Sequence, residues 1–371
     1  MTRILTGNAL DILKTLPDNS VDTCITSPPY YGLRDYGTGK WVGGDSNCNH
    51  HGSAFRTSEK INEHCGTGVS HHRKECYQPF KTVCSKCGAV RIDQQIGLEE
   101  TPQEYIDKLV AVFREVRRVL KDSGTLWINI ADSYAGSGKG AWKNKNGQKE
   151  SYVLDPHSNP ARMPKTFDGI KAKDLIGIPW ELAFALRTDG WYLRQDIIWY
   201  KPNCMPESVT DRCTKSHEYI FLLSKSKKYY FDYKAISEPV ADSTIKRMAQ
   251  DISNQKGSER QPGKKNGTMK AVGNGITRHK RDVWSISTVG SKEAHFATFP
   301  EKLIEPCILA GCPVGGIVLD PFLGSGTTAV VSERLDRTCW GIELNPEYVE
   351  MTKRKMKEKS NEQQRIYKIA E

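Results

Sequence analysis

The sequence predicts an α/β fold built on a largely parallel sheet whose strand order is circularly permuted. Three observations predict it. Short apolar strands alternate with amphipathic helices, the rhythm of strands joined by crossover helices. A glycine-rich strand–turn–helix of the nucleoside-binding kind stands near the C-terminus, at 317–335, with a further strand ending at Glu343. Only 28 residues follow Glu343, too few to supply the other strands of a doubly wound sheet, so those strands come from upstream.

In chain order, Arg3–Thr6 reads as a strand, followed by an amphipathic helix through Leu10, Leu13 and Leu16 and a turn at Pro17-Asp18-Asn19-Ser20. Val21–Thr26 is a short buried strand running into Ser27-Pro28-Pro29-Tyr30. From about Gly43 to Gln95 apolar periodicity vanishes and Cys, His, Gly and charged residues dominate, as in an inserted module. Thr101, Pro102 and Glu104 mark a helix start. Ile106, Leu109, Val110, Phe113, Val116 and Leu120 form its apolar face, and Gly124 is its expected end. Thr125–Ile130 is the next strand, and Tyr134–Lys173 a polar, basic loop. Pro179–Leu186 reads as helix, Trp191–Trp199 and Tyr219–Leu223 as strands, and Asp242–Arg281 as a long polar loop or small subdomain. A helix at Glu301–Ala310 precedes the closing unit: strand Ile317–Asp320, loop Pro321–Thr328, helix Ala329–Leu335 and strand Thr338–Glu343.

Composition narrows the class. No run of about 18 apolar residues is present, so no membrane span is expected, and the first residues lack a secretory signal. Eleven cysteines, an odd number, argue against a disulfide framework and fit a reducing cytoplasm with one metal site. The net charge of +10 is uneven. Residues 134–173 hold eight Lys and Arg against three Asp and Glu, and residues 242–282 hold ten against four. Two basic segments on a near-neutral body suit a polyanionic partner, although basic loops also serve solubility alone.

Asp320-Pro321-Phe322-Leu323-Gly324-Ser325-Gly326-Thr327-Thr328-Ala329 joins a strand to a helix. Glycines there let a ligand approach the backbone, and the helix start offers unpaired N–H groups. Glu343, ending the next strand, stands where a carboxylate binds a ribose diol. Dehydrogenases share the bare G-x-G-x-x-A pattern. The absence of a G-K-[ST] ending excludes an ATP-binding P-loop.

Ser27-Pro28-Pro29-Tyr30 is the most specific feature. Two prolines remove two N–H donors and fix the backbone after a strand, leaving nearby carbonyls free to accept. The amine of a nucleobase is a poor nucleophile, because its lone pair is delocalised into the ring. Accepting hydrogen bonds from both its N–H groups, at Ser27 and a carbonyl such as that of Pro28, favours a pyramidal nitrogen with the lone pair restored. Tyr30 suits stacking on a base that has left the duplex. A lone Pro-Pro-Tyr is more often a strand-ending turn with a core tyrosine.

Together, this tetrapeptide and the glycine loop resemble the amino-methyltransferases that act on cytosine N4 or adenine N6. Their order, Ser-Pro-Pro-Tyr first and Asp-Pro-Phe-x-Gly-x-Gly last, resembles that family's β group, in which target recognition lies between the two. The resemblance implies S-adenosylmethionine as methyl donor and a permuted Rossmann-like methyltransferase sheet with a target-recognition insertion. Residues 45–96, outside the resemblance, are expected to form a zinc-ribbon-like insertion on the Cys and His spacing given below. It implies catalytic roles for Ser27, Pro28, Pro29 and Tyr30. Cofactor contacts are implied at Asp320, Pro321, Phe322, Gly324, Gly326 and Thr327, with Thr298 and Phe299 near the methionine part, Glu343 on the ribose and Asn345 beside it. Asn8 stands where the family usually has Asp near the cofactor adenine.

The corresponding division of the chain is 1–44, the catalytic domain's acceptor half, 45–96, the zinc-binding insertion, and 97–241, the catalytic domain continued, with 134–173 a basic clamp. Residues 242–291 are the recognition segment, 292–358 the donor half and 359–371 a tail. Serine at position 27, where adenine enzymes more often carry Asp or Asn, favours cytosine N4; adenine N6 is the alternative. An RNA or protein-amide acceptor, or a non-catalytic DNA-binding body, are further readings. Ring-carbon methylation would need a nucleophilic cysteine, and Cys307 reads instead as a packed small hydrophobe. The implied partners are double-stranded DNA and a cognate restriction endonuclease, in the cytoplasm and away from membranes.

Cys84-Ser85-Lys86-Cys87-Gly88 is a C-x-x-C knuckle, and Cys48-Asn49-His50-His51 supplies a second pair. The expected structural zinc set is Cys48, His50, Cys84 and Cys87, with His51 as substitute for His50. His64, Cys65, His71, His72 and Cys76 lie between and compete. A region so poor in apolar residues needs a staple to fold.

Overall fold

The structure, a computed structural model, describes residues 2–33, 36–48, 83–84, 86–136, 142–143, 149–150, 169–248, 276–289 and 299–370. Its first half runs β1 (Arg3–Thr6), α1 (Ala9–Thr15), β2 (Val21–Thr26), the short pair β3 (Lys40–Val42) and β4 (Val90–Ile92), α2 (Pro102–Val119) and β5 (Leu120–Ile130). After the two-residue strands β6 (Trp142–Lys143) and β7 (Lys149–Glu150) come α3 (Ile178–Thr188), β8 (Tyr192–Tyr200), β9 (His217–Ser224), β10 (Glu238–Pro239) and α4 (Asp242–Met248). The chain closes with β11 (Thr277–Arg278), β12 (Val283–Ser285), α5 (Glu301–Gly311), β13 (Ile317–Asp320), α6 (Thr327–Arg334), β14 (Thr338–Glu343) and α7 (Pro346–Ala370).

Among the described residues the main sheet has eight strands in the order β1-β14-β13-β2-β5-β9-β8-β12. The first and last strands of the chain are neighbours, running parallel with Arg3 opposite Trp340 and Thr6 opposite Glu343. β13 then lies between β14 and β2. The N-terminal and C-terminal parts therefore interleave in one sheet, which is the permuted order expected from the sequence. β9 runs antiparallel to both β5 and β8, so the sheet is mixed rather than wholly parallel.

Alternation along the strands splits the core in two. Leu126, Ile128 and Ile130 of β5 face Leu13, Tyr105, Phe113 and Leu182 from α1, α2 and α3. Trp127 faces the other way, against Leu303 and Ile308 of α5. Side chains of a strand alternate between faces, and helices cover both, which is why β2 is buried at all six positions.

α2 starts as expected, with the Thr101 hydroxyl accepting from the Glu104 N–H at 3.2 Å. It does not run on to Gly124. The helix ends at Val119, because Leu120 is already in the sheet opposite Val21, and Gly124 lies inside β5. Sheet pairing overrides the local stop signal. No helix among the described residues is long and apolar enough to cross a membrane.

Candidate active site

The two motifs leave the sheet from adjacent strand ends. β13 pairs with β2, placing Val318 opposite Thr23 and Leu319 opposite Cys24. The glycine loop after Asp320 and the proline loop after Thr26 therefore begin side by side. The Thr26 hydroxyl donates to Asp320 Oδ1 at 2.6 Å, closing a contact across 294 residues of chain. Asp320 also accepts from the Phe322 N–H at 3.1 Å and the Thr328 hydroxyl at 2.6 Å. Burial pushes its carboxyl up to about 6 against the pull of these three bonds. Asp320 points into the protein and braces both loops.

Between the loops lies a cleft of about 1220 Å³, its open mouth included. Ser27, Pro28, Pro29 and Tyr30 line it together with Asn8, Phe299, Pro321, Phe322, Gly324, Thr327 and Glu343, Asn8 entering beside Glu343 because β1 is the neighbour of β14. Asp320, Gly326 and Asn345 stand behind this wall, while Thr298 and His50 lie outside the described residues. Gly324 has φ +54 and open space beside it, the nearest atom to an added Cβ being Phe322 O at 4.0 Å. Gly326, with φ +84, is required by packing instead, because a Cβ there would come within 2.4 Å of Thr352 on α7.

Glu343 sits at the floor of the cleft. One carboxylate oxygen accepts from the Gly324 N–H at 2.8 Å and the other from the Asn345 N–H at 2.8 Å. Burial raises its pKa above the ordinary glutamate value. Each oxygen keeps a further lone pair, so Glu343 can shape the glycine loop and still accept from a diol. The Asn345 side chain accepts from the Glu347 N–H at 2.9 Å and thus starts α7. Asn8 caps α1, accepting from the Leu10 N–H at 2.9 Å. Ligand pockets have mostly apolar walls and a few fixed polar groups. Phe322, Ile342, Tyr348 and Met351 supply such walls here, and a carboxylate in reach of a sugar supplies the polar group.

On the acceptor side the two prolyl carbonyls differ. The Tyr105 hydroxyl donates to Pro29 O at 2.8 Å, whereas Pro28 O has no donor among the described residues. The loop is clamped from outside by the 95–97 segment. The Gly32 N–H donates to Gly97 O at 2.8 Å, and Gly97, at φ +104, leaves no room for a side chain, Tyr30 O lying 3.0 Å from where a Cβ would stand. The Tyr30 hydroxyl donates to Glu218 Oε2 at 2.7 Å and lies 3.3 Å from Asn129 Oδ1. Burial, then the Glu218 carboxylate, raise its pKa well above the ordinary phenol value.

Gly97, Tyr105, Asn129 and Glu218 carried no motif in the sequence. A glutamate directly before the apolar run Tyr219–Leu223 was the one local sign that something charged faces inward there.

Cys307 is buried on α5, its thiol directed at Leu303 O at 3.6 Å and pushed up by burial. It does not line the cleft, so it has no access to a base. In the insertion, the sulfurs of Cys48, Cys84 and Cys87 lie within 4.8 Å of one another, with Cys48 and Cys84 3.9 Å apart. The C-x-x-C turn is closed by Cys84 N–H to Ala89 O at 2.7 Å and Gly88 N–H to Cys84 O at 2.9 Å.

Comparison with known proteins points the same way as the geometry. A family model described as DNA methylase, N6/N4 type, matches residues 21–354. The chain is 40% identical over 354 residues to Type II methyltransferase M.SmaI of Serratia marcescens, covering 95% of this chain and 90% of that protein. It is 41% identical over 349 residues to Type II methyltransferase M.Cfr9I of Citrobacter freundii, covering 93% and 84%. Among solved structures it is similar in fold to PvuII DNA methyltransferase, described as cytosine-N4-specific. There the TM-score is 0.51 at 17% identity, covering 94% of this chain and 84% of that one.

Proposed function

Because the chain belongs to the DNA methylase family that modifies cytosine N4 or adenine N6, we propose that it is a Type II modification methyltransferase placing a methyl group on cytosine N4 in double-stranded DNA. The observation that carries this reading is the single cleft shared by residues 27–30 and 321–324. Serine at position 27 favours cytosine; adenine N6 is the alternative. S-adenosylmethionine, when bound, supplies a methyl group on a sulfonium.

The residues of the chain do the rest by positioning. Glu343 and the loop at Gly324 hold the nucleoside end, while Phe299 stands near the methionine end. Tyr30 stacks on the flipped base. The Ser27 hydroxyl and Pro28 carbonyl accept from the two amine N–H groups and aim the nitrogen lone pair along the cleft. The N–C bond forms as the S–C bond breaks, its electron pair staying on sulfur. The methylated nitrogen, acidic once its lone pair is used, loses one proton past the Ser27 hydroxyl to solvent. No protein nucleophile takes part.

Residues 242–291 would read the target sequence and 134–173 clamp the strand; most of both segments lies outside the described residues. The relatives' Type II names fit a cognate restriction endonuclease acting on the same site. Incubation of unmethylated bacterial duplex DNA, RNA and protein with labelled S-adenosylmethionine tests the acceptor class. Label is expected in duplex DNA. Label confined to RNA or protein would overturn the reading.

A structural zinc ion in the insertion belongs to the same proposal. A Zn–S bond of about 2.3 Å sets tetrahedral thiolates about 3.8 Å apart, close to the 3.9 Å between Cys48 and Cys84. Cys87 is the third ligand. His50, expected as the fourth, lies outside the described residues. Elemental analysis of the purified chain should find one zinc per molecule, lost in a Cys84→Ser, Cys87→Ser variant. Protein purified without chelator and free of zinc would end this part of the proposal.

A further inference from the structure

Stacking uses the faces of the Tyr30 ring and leaves its hydroxyl without a task, yet that hydroxyl is the most heavily engaged group of the acceptor loop. It meets Glu218 Oε2 at 2.7 Å. The same oxygen accepts from Asn129 Nδ2 at 3.1 Å, and Asn129 Nδ2 is itself anchored on Tyr219 O at 3.2 Å. The other Glu218 oxygen forms a salt bridge with Lys201. The Lys201 ammonium lies 4.3 Å from the centre of the Trp199 ring, and Trp199 is buried and donates to Ile286 O at 2.8 Å. From the buried core outward, every member of this chain is held by the next.

Both charged side chains are largely shielded, Glu218 at 12% and Lys201 at 19% exposure. Folding does not require such a pair, since well-packed apolar residues of like volume often serve stability equally well or better. What a charge-assisted network supplies is direction. Here it fixes one end of a phenol ring whose other end hangs from a loop without regular structure. Glu218 lies on β9 and Lys201 directly follows β8; the two strands are hydrogen-bonded neighbours, Trp199 standing opposite Glu218.

We propose that Glu218, oriented by Lys201 and Asn129, is a positioning residue that sets the plane of Tyr30 before a base arrives. It rests on the reading of Tyr30 as the base-stacking residue. In that role it acts through the Tyr30 hydroxyl, so removing either end of the contact should slow the reaction, Tyr30→Phe at least as much as Glu218→Gln because the same hydroxyl also accepts from Ser27 Oγ at 3.5 Å.

Tyr30→Phe keeps the ring and removes the hydroxyl; Glu218→Gln keeps the shape and removes the charge. Methyl transfer to unmethylated bacterial genomic DNA would be measured for both and for the double variant, with S-adenosylmethionine affinity and thermal melting alongside. Each single variant should lower kcat by about 10- to 100-fold, the scale of a misplaced reacting group, with melting and S-adenosylmethionine affinity unchanged. The double variant should be no slower than the slower single, since the two share one interaction. Unchanged kcat in both singles, or a double variant equal to the product of the two, would overturn the proposal. So would a loss of melting temperature that accounts for the lost activity in Glu218→Gln, unless stable Tyr30→Phe shows the same loss of kcat. A wild type that methylates no DNA removes the functional reading itself, whereas an active wild type with indifferent variants removes this inference alone.

Discussion

Tyr30→Ala is expected to lower methyl transfer by about a thousandfold or more while S-adenosylmethionine still binds. Stacking of a base on an aromatic ring contributes about 1–3 kcal/mol, and a misplaced reacting nitrogen costs on the order of a further hundredfold. Both losses fall on the acceptor. The donor side rests on Glu343, Gly324 and the bracing of Asp320, none of which bonds to the Tyr30 side chain. Calorimetric titration with S-adenosylmethionine and label transfer to duplex DNA read the two halves separately. Full activity in the variant would remove Tyr30 from the site.

Glu343→Ala should do the reverse, weakening S-adenosylmethionine binding by about a hundredfold or more. Its carboxylate holds the N–H groups of Gly324 and Asn345 at 2.8 Å each, and hydrogen bonds to a charged group contribute about 1.5–3 kcal/mol apiece. Alanine leaves two donors without a partner in a buried corner and removes the acceptor for a ribose diol. The glycine loop then loses its shape as well as its ligand contact. Because burial raises the Glu343 pKa, the carboxylate protonates at a higher pH than an ordinary glutamate. Affinity in the wild type should therefore weaken on acidification sooner than a solvent-exposed glutamate would allow. Titration across pH for both proteins checks this, and an unchanged affinity in the alanine variant would contradict it.

The parts of this molecule that were legible in sequence are those whose signal is local. Val21–Thr26, Ile317–Asp320 and Thr338–Glu343 are short apolar runs bounded by turn residues, and they form strands over those same residues. The permuted order was expected with the proline motif early and the glycine loop late in the chain, and β1 lies beside β14. Strand direction was not legible. Periodicity is the same for parallel and antiparallel strands, so the reversal of β9 emerges only from how the connection of residues 201–216 turns back. The end of α2 was misplaced for the same kind of reason, since the pairing of Leu120 with Val21 is a tertiary fact.

The site divides likewise. Motifs marked Ser27–Tyr30, Gly324 and Glu343, which gather round one cleft. They also marked Asp320, Gly326 and Asn345, which shape the cleft from behind, because a motif records every residue a loop needs and not only those that touch a ligand. Tyr30 and Glu218 are 188 residues apart, and nothing in either neighbourhood announces the other.

Mass spectrometry of nucleosides from duplex DNA treated with the enzyme and S-adenosylmethionine tests the central claim most directly, namely that an exocyclic amine held at Ser27 and Pro28 accepts the methyl group. The expected product is N4-methylcytosine. N6-methyladenine would move the assignment to the other amine, and 5-methylcytosine, which demands a covalent attack on the ring, would contradict it.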